Sequence, residues 1–211
     1  MNFISDDIMN YATGHSETEP ILLKNLYRET NLKVLNPRMI SSSFQGRLLS
    51  FLSKLINPKY ILEVGTYTGY SSLCLCEGLK KNGEIHTIDK NEELSTIQRK
   101  YFNKSVFKNQ IVQHLGNAIN IIPKLNFDFD LIFLDADKEN YIKYFDLVFP
   151  KLKSGGLLIT DNVLWSGKVL KKDLDRETKI IKKYNSKLNK DKRIKNLLLP
   201  IRDGLTLSLK H

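Results

Sequence analysis

The sequence predicts an α/β fold built on a largely parallel sheet. From Tyr60 onward, short apolar runs alternate five times with amphipathic stretches of helical period, and the turns after those runs carry glycines or acids. Strand and helix alternating in this way make right-handed βαβ units whose helices cover both sheet faces. At 211 residues the chain suits one domain, residues 1–211, with an N-terminal helical region (1–57) and an α/β core (58–211).

The elements follow in order. Leu22, Leu23, Leu26 and Tyr27, then Leu48, Leu49, Leu52 and Leu55, recur at helical spacing, so residues from about 18 to 57 read as helices broken at Asn36-Pro37. "YILEV" is a strand, followed by the turn "GTYTG" and a helix through Leu79. "EIHTI" is the second strand, with a helix from about Glu92 to Phe107. "QIVQHL" is the third and "LIFLDA" the fourth, the latter followed by a helix over Tyr141 to Phe149. "GLLIT" is the fifth, with a long helix from about Leu174 to Leu188. "IKNLLLP" and "GLTLSLK" flank "IRDG", a turn between two antiparallel strands.

Composition excludes several classes. No stretch approaches the roughly 18–20 apolar residues of a membrane span. The opening "MNFISDDIMNYATGHSETEP" lacks a basic segment followed by a long apolar run, so it is not expected to act as a signal peptide. Cys74 and Cys76, the only cysteines, lie two apart in a helix and point away from each other. They read as core thiols in a reducing cytoplasmic setting. The net charge of +10 is local: from Lys168 to Lys195, twelve Lys or Arg stand against four acids.

In such sheets ligands bind beyond the carboxyl ends of the strands, so candidate site residues are sought there. After the first strand, "EVGTYTGYSS" places Gly65 and Gly69 where the backbone turns tightly and approaches a ligand closely, with Ser71 near the next helix's start. The pattern is neither a nicotinamide fingerprint nor a P-loop, and an ordinary βα turn also fits it. Asp89 ends the second strand, placed to accept from ribose hydroxyls or to cap a helix. Together these favour an adenosine-bearing cofactor. Asp135 ends the fourth strand, and Asp161 and Asn162 end the fifth. In the usual order of this topology those strands are neighbours about 5 Å apart, so three oxygen donors converge. Such a set suits Mg²⁺ with open positions, while a helix cap and a turn form the plainer reading. Lys138, three residues after Asp135, is within reach as a proton acceptor.

These residues resemble the metal-dependent class I S-adenosylmethionine O-methyltransferases, the group containing catechol and caffeoyl-CoA O-methyltransferases. The resemblance is carried by "RMISSSFQGRLLSFLSKLI", "ILEVGTYTGYSS", "IHTIDKNEE", "GNAINIIP", "FDLIFLDADKENY", "DNVLWSGKV" and "LPIRDGLTLS". It implies a Rossmann-like class I methyltransferase fold: a seven-stranded, mostly parallel sheet of order 3-2-1-4-5-7-6, the last strand antiparallel, with added N-terminal helices. It implies cofactor contacts from Ser41, Glu63, Gly65, Thr66, Ser71, Asp89, Ala118 and Asp137. Asp135, Asp161 and Asn162 match the ligands of Mg²⁺ or another divalent cation such as Ca²⁺ or Mn²⁺, and Lys138 matches the general base. Asp135 and Ser166 match substrate contacts, and residues 1–57 match a cap and dimer region of a homodimer. Two departures concern the acceptor. The chain begins after the lysine-bearing extension of the plant acyl-CoA enzymes, and Ser166 stands where those enzymes have Asn.

The expected reaction is methyl transfer to one hydroxyl of a vicinal-oxygen, catechol-type small molecule. The alternative acceptor is 5-hydroxyuridine in tRNA. On a helical wheel Lys172, Arg176, Lys179, Lys183, Lys187 and Lys190 fall within about 80° of one another, a stripe able to meet phosphates or simply to face solvent. His15 reads as a surface residue, and His86 and His114 as strand residues.

Overall fold

The computed structural model describes residues 4–211. Seven strands form one sheet: β1 (Tyr60–Val64), β2 (Glu84–Asp89), β3 (Ile111–Leu115), β4 (Phe129–Leu134), β5 (Leu152–Thr160), β6 (Ile194–Leu199) and β7 (Leu205–Lys210). Their order is β3-β2-β1-β4-β5-β7-β6, as the resemblance implies. The first five pair in parallel, while β7 runs antiparallel to both β5 and β6. Strand order reverses between β1 and β4, so a crevice opens beyond their carboxyl ends.

Eight helices surround the sheet among the described residues: α1 (Asp6–Gly14), α2 (Ile21–Lys33), α3 (Ser43–Ile56), α4 (Tyr70–Cys76), α5 (Ser95–Lys104), α6 (Ala118–Ile121), α7 (Tyr141–Val148) and α8 (Arg176–Lys190). On one face, Leu23 and Leu26 of α2, Leu49 of α3 and Tyr70 of α4 pack with Ile61 and Phe133. On the other, Tyr141 and Phe145 of α7 and Tyr184 and Leu188 of α8 pack with Leu62 and Ile132. Strands covered on both faces become the continuous apolar runs read in the sequence. No helix among the described residues is long and apolar enough to cross a membrane.

Several expected boundaries shift. The helix expected through Leu79 stops at Cys76. Gly78 follows, where an added Cβ would lie 2.1 Å from the Ser53 carbonyl carbon, so α3 passes too close for any side chain. The helix expected from Glu92 opens with a short 3₁₀ turn and becomes α5 only at Ser95. The long helix begins at Arg176 because Asp175 caps it, accepting from the Thr178 N–H at 2.7 Å. Lys172 therefore precedes α8 and is not part of a helical stripe. Of the remaining five cations, Arg176 pairs with Glu139 and Lys187 with Asp146. Helix α1 was not anticipated, and none of its residues is buried. Cys74 and Cys76 are free, buried core thiols.

Candidate active site

The turn after β1 is built on close approach. Gly65 has φ +105°, and a Cβ there would sit 1.9 Å from the Asp135 carbonyl oxygen. Its N–H donates to Ile88 at 2.9 Å, drawing the β1, β2 and β4 ends together. Gly69 begins α4 with φ +89°, against the Phe102 ring. Behind this turn Glu63 is wholly buried. Its Oε2 accepts from Ser72 and from Thr87 at 2.5 Å, and Thr87 in turn meets Thr66 Oγ1 at 2.5 Å. Burial pushes the Glu63 carboxyl up to about 7, with the nearby Asp135 charge adding to the effect.

A cavity of about 1780 Å³ runs along the strand ends. It exceeds the roughly 300–1,000 Å³ of a single-ligand pocket, leaving room for a cofactor and an acceptor side by side. Ser41, Gly65, Thr66, Ser71, Asp89, Ala118 and Asp137 line it, while Glu63 stands behind its wall. Asp89 is fixed by two backbone donors, Tyr67 N–H to Oδ2 at 2.6 Å and Asn91 N–H to Oδ1 at 2.8 Å. Asp137 accepts from the Tyr144 hydroxyl at 2.6 Å and from the Asn140 amide.

At the other end Asp135 and Asp161 follow strands β4 and β5, which pair at Leu134 and Thr160. Lys138 Nζ donates to Asp135 Oδ1 at 3.0 Å and to the Tyr141 hydroxyl at 2.7 Å. That hydroxyl donates to the Asp161 carbonyl at 2.9 Å, so lysine and both strand ends are tied through one ring. Asp161 is 1% exposed. Burial first, and then the Asp135 charge, raise its carboxyl well above the usual range. Its Oδ2 accepts from Gln45 Nε2 at 2.6 Å and its Oδ1 from the Asn162 N–H at 2.6 Å. Asn162 lines the same wall in the left-handed conformation, φ 58°. No group of three or more His, Cys, Asp or Glu able to hold a metal occurs among the described residues; the set here is two carboxylates and an amide.

Ser166 lies outside the cavity wall, exposed, with its N–H donating to Asp203; Trp165 beside it does line the wall. His15 is exposed, stacked on Tyr11. His86 Nδ1 and His114 Nε2 meet at 3.0 Å across β2 and β3. Sequence reasoning did not single out Gln45, Tyr141 or Arg202. They lie at no strand end, and only the fold brings them to the site.

Fold and site together define an S-adenosylmethionine-dependent methyltransferase. The O-methyltransferase family model matches residues 13–211, and the chain belongs to that family. Caffeoyl-CoA O-methyltransferase 2 of Zea mays is 35% identical over 218 residues, covering 96% of this chain and 82% of that protein. The SAH-bound methyltransferase PaMTH1 of Podospora anserina is 29% identical with a TM-score of 0.90, covering 98% of this chain and 94% of that one. The O-methyltransferase TomG of Streptomyces achromogenes, in complex with SAM, is 25% identical with a TM-score of 0.88, covering 97% and 96%. The caffeoyl-CoA relatives are named for a small-molecule thioester, which lends no support to the tRNA reading.

Proposed function

We propose that the chain methylates one hydroxyl of a small catechol-type molecule, with a divalent cation held by Asp135, Asp161 and Asn162. The observation that carries this is the pair of acids at adjacent strand ends, with Lys138 3.0 Å from one of them, inside a cavity large enough for two ligands. The donor set fits a hard cation. Asp161 is buried beside Asp135 and accepts hydrogen bonds from two neutral amides, the Gln45 side chain and the Asn162 backbone, so its own charge is not met by a direct cationic donor. When bound, such a cation acts as a Lewis acid that aligns two vicinal oxygens and eases loss of a hydroxyl proton.

The protein's own groups do the rest. Asp89 holds ribose hydroxyls, Ala118 borders the adenine, and Ser41, Thr66, Ser71 and Asp137 hold the amino-acid end, with Glu63 bracing Thr66 through Thr87. The acceptor oxygen attacks the methyl carbon, the S–CH₃ bond breaks with its electron pair passing to sulfur, and Lys138 Nζ takes the hydroxyl proton. Lys138 acts as base in its free-amine form and passes the proton it takes on to solvent. Residues 1–57 act as cap and dimer face, an assignment supported by exposed Phe51 and Leu55 on one side of α3. Free buried Cys74 and Cys76 support a reducing, cytoplasmic setting.

Methyl-labelled S-adenosylmethionine tests the reading with Mg²⁺ and either a panel of catechols or tRNA. Label is expected in a catechol, lost after thorough chelation by EDTA and restored by Mg²⁺. Full turnover after chelation removes the cation from the mechanism, and label entering only tRNA overturns the small-molecule acceptor.

A further inference from the structure

We infer that Gln45 and Arg202 are positioning residues for the Asp161 carboxylate, a relay tying the N-terminal segment and the β6–β7 turn to the acidic end of the site. The inference rests on the reading of Asp161 as a cation ligand. Gln45 lies in the first turn of α3, where the Ser42 hydroxyl accepts from its backbone N–H, and its side chain is wholly buried. Its amide is used at both ends. Nε2 donates to Asp161 Oδ2 at 2.6 Å, and Oε1 accepts from Arg202 Nη1 at 3.2 Å.

Those partners leave the amide one orientation. A carboxylate only accepts and a guanidinium only donates, so Gln45 fits between them with its nitrogen toward Asp161 and in no other way. Without Arg202 the amide is free to rotate and present its oxygen to a carboxylate, which repels it. Arg202 Nη2 also donates to the Arg38 carbonyl at 2.8 Å, so the same guanidinium clamps the segment before α3.

The mounting of Arg202 argues that this geometry is built. Its φ is 52°, a left-handed conformation that a long side chain adopts rarely and with strain. The turn carrying it is docked on the stretch following Asn162. Val163 N–H donates to the Gly204 carbonyl at 3.2 Å, Leu164 N–H to the Asp203 carbonyl at 2.9 Å, and Ser166 N–H to the Asp203 carboxylate. A Cβ at Gly204 would lie 2.5 Å from the Leu164 side chain, which shows how closely the two segments fit. The turn and the proposed ligand strand thus move as one, and Arg202 reaches from it to Gln45.

The relay is tested by a double-mutant cycle on the full chain, using Gln45→Leu, Arg202→Ala, the pair together, and Arg202→Lys as the conservative variant. Readouts are the Mn²⁺ dissociation constant by calorimetry, the SAH dissociation constant, and kcat and KM for caffeate. Gln45→Leu is expected to weaken Mn²⁺ binding about 10–100-fold, the usual range when a group orienting a metal ligand is lost. SAH affinity stays within about twofold, because none of the proposed cofactor contacts is altered. Arg202→Ala gives a smaller loss in the same direction, Arg202→Lys recovers most of it, and the double variant matches Gln45→Leu alone.

Unchanged Mn²⁺ affinity in Gln45→Leu, or losses that multiply in the double variant, overturn the relay. Should Gln45→Leu not fold, Gln45→Asn, one methylene shorter, takes its place in the cycle. An unsubstituted protein that binds no Mn²⁺ overturns the cation reading instead. The relay then stands or falls on whether kcat shows the same non-additive pattern.

Discussion

At the scale of single residues, Lys138 carries the sharpest expectation. Its Nζ is 3.0 Å from Asp135 and 2.7 Å from the Tyr141 hydroxyl, and its side chain is only 10% exposed. Lys138→Ala is expected to lower kcat by about 10²–10⁴-fold while leaving the SAH dissociation constant nearly unchanged. Titration calorimetry beside a turnover assay checks both, and an unchanged kcat removes the lysine from the chemistry. Much of this end of the site was legible in the sequence, because Asp135, Lys138, Asp161 and Asn162 sit where parallel strands release their chain toward a ligand. Gln45 was not legible. It lies 116 residues from Asp161 along the chain and 157 from Arg202, and on a helix an amide with two buried partners has the same local pattern as one facing water.

Between elements, α3 and α4 are joined by a shielded ion pair. Arg47, 7% exposed, donates to both oxygens of Glu77 at 3.0 and 2.6 Å, and Ser50 adds a hydroxyl at 2.7 Å. Burial alone would raise the Glu77 carboxyl, but Arg47, Ser50 and Lys54 outweigh it and hold the group below the usual range. Glu77→Ala is expected to destabilise the fold by about 2–3 kcal/mol, below the roughly 3–5 kcal/mol for breaking a buried pair because exposed Glu17 stays 3.8 Å from the Arg47 guanidinium. That corresponds to roughly 4–12 °C in melting temperature. The paired change Arg47→Met with Glu77→Leu recovers most of the loss, and thermal denaturation of the two variants beside the parent protein measures it; equal melting temperatures for Glu77→Ala and the parent protein would remove this pair from the stability of the fold. Element types were largely legible because both periodicities report burial. Helix α1 escaped because it buries nothing, and the start of α8 moved because the Asp175 cap, rather than the apolar pattern, sets it.

For the whole molecule, the paired imidazoles on β2 and β3 set an acid limit. Burial lowers both pKa values from the ordinary 6.5; His86 is lowered further by His114, with Glu84 opposing. The folded protein thus releases protons that the unfolded chain keeps. This contribution is neutral above about 6.5 and turns into a loss of stability as pH falls below it. Glu63 and Asp161, whose raised carboxyls take up protons over the same range, act in the opposite direction and equally in both proteins, so the change in urea midpoint from about pH 8 to about pH 5.5 is expected to be more favourable in His114→Gln than in the parent. Equal changes in the two proteins would place the acid sensitivity elsewhere. The global topology was legible because alternation of strand and helix admits few arrangements. The position of β7 between β5 and β6 followed from the family resemblance and not from periodicity, which is silent on strand order.

Trp165 gives the molecule an optical consequence. It is the only tryptophan in the chain, it forms part of the cavity wall, its indole nitrogen is shielded from water, and Lys168 lies 5.8 Å from its ring. All indole emission from this protein therefore arises at the wall of that cavity. Ordinary fluorescence, without any label, reports from that one place.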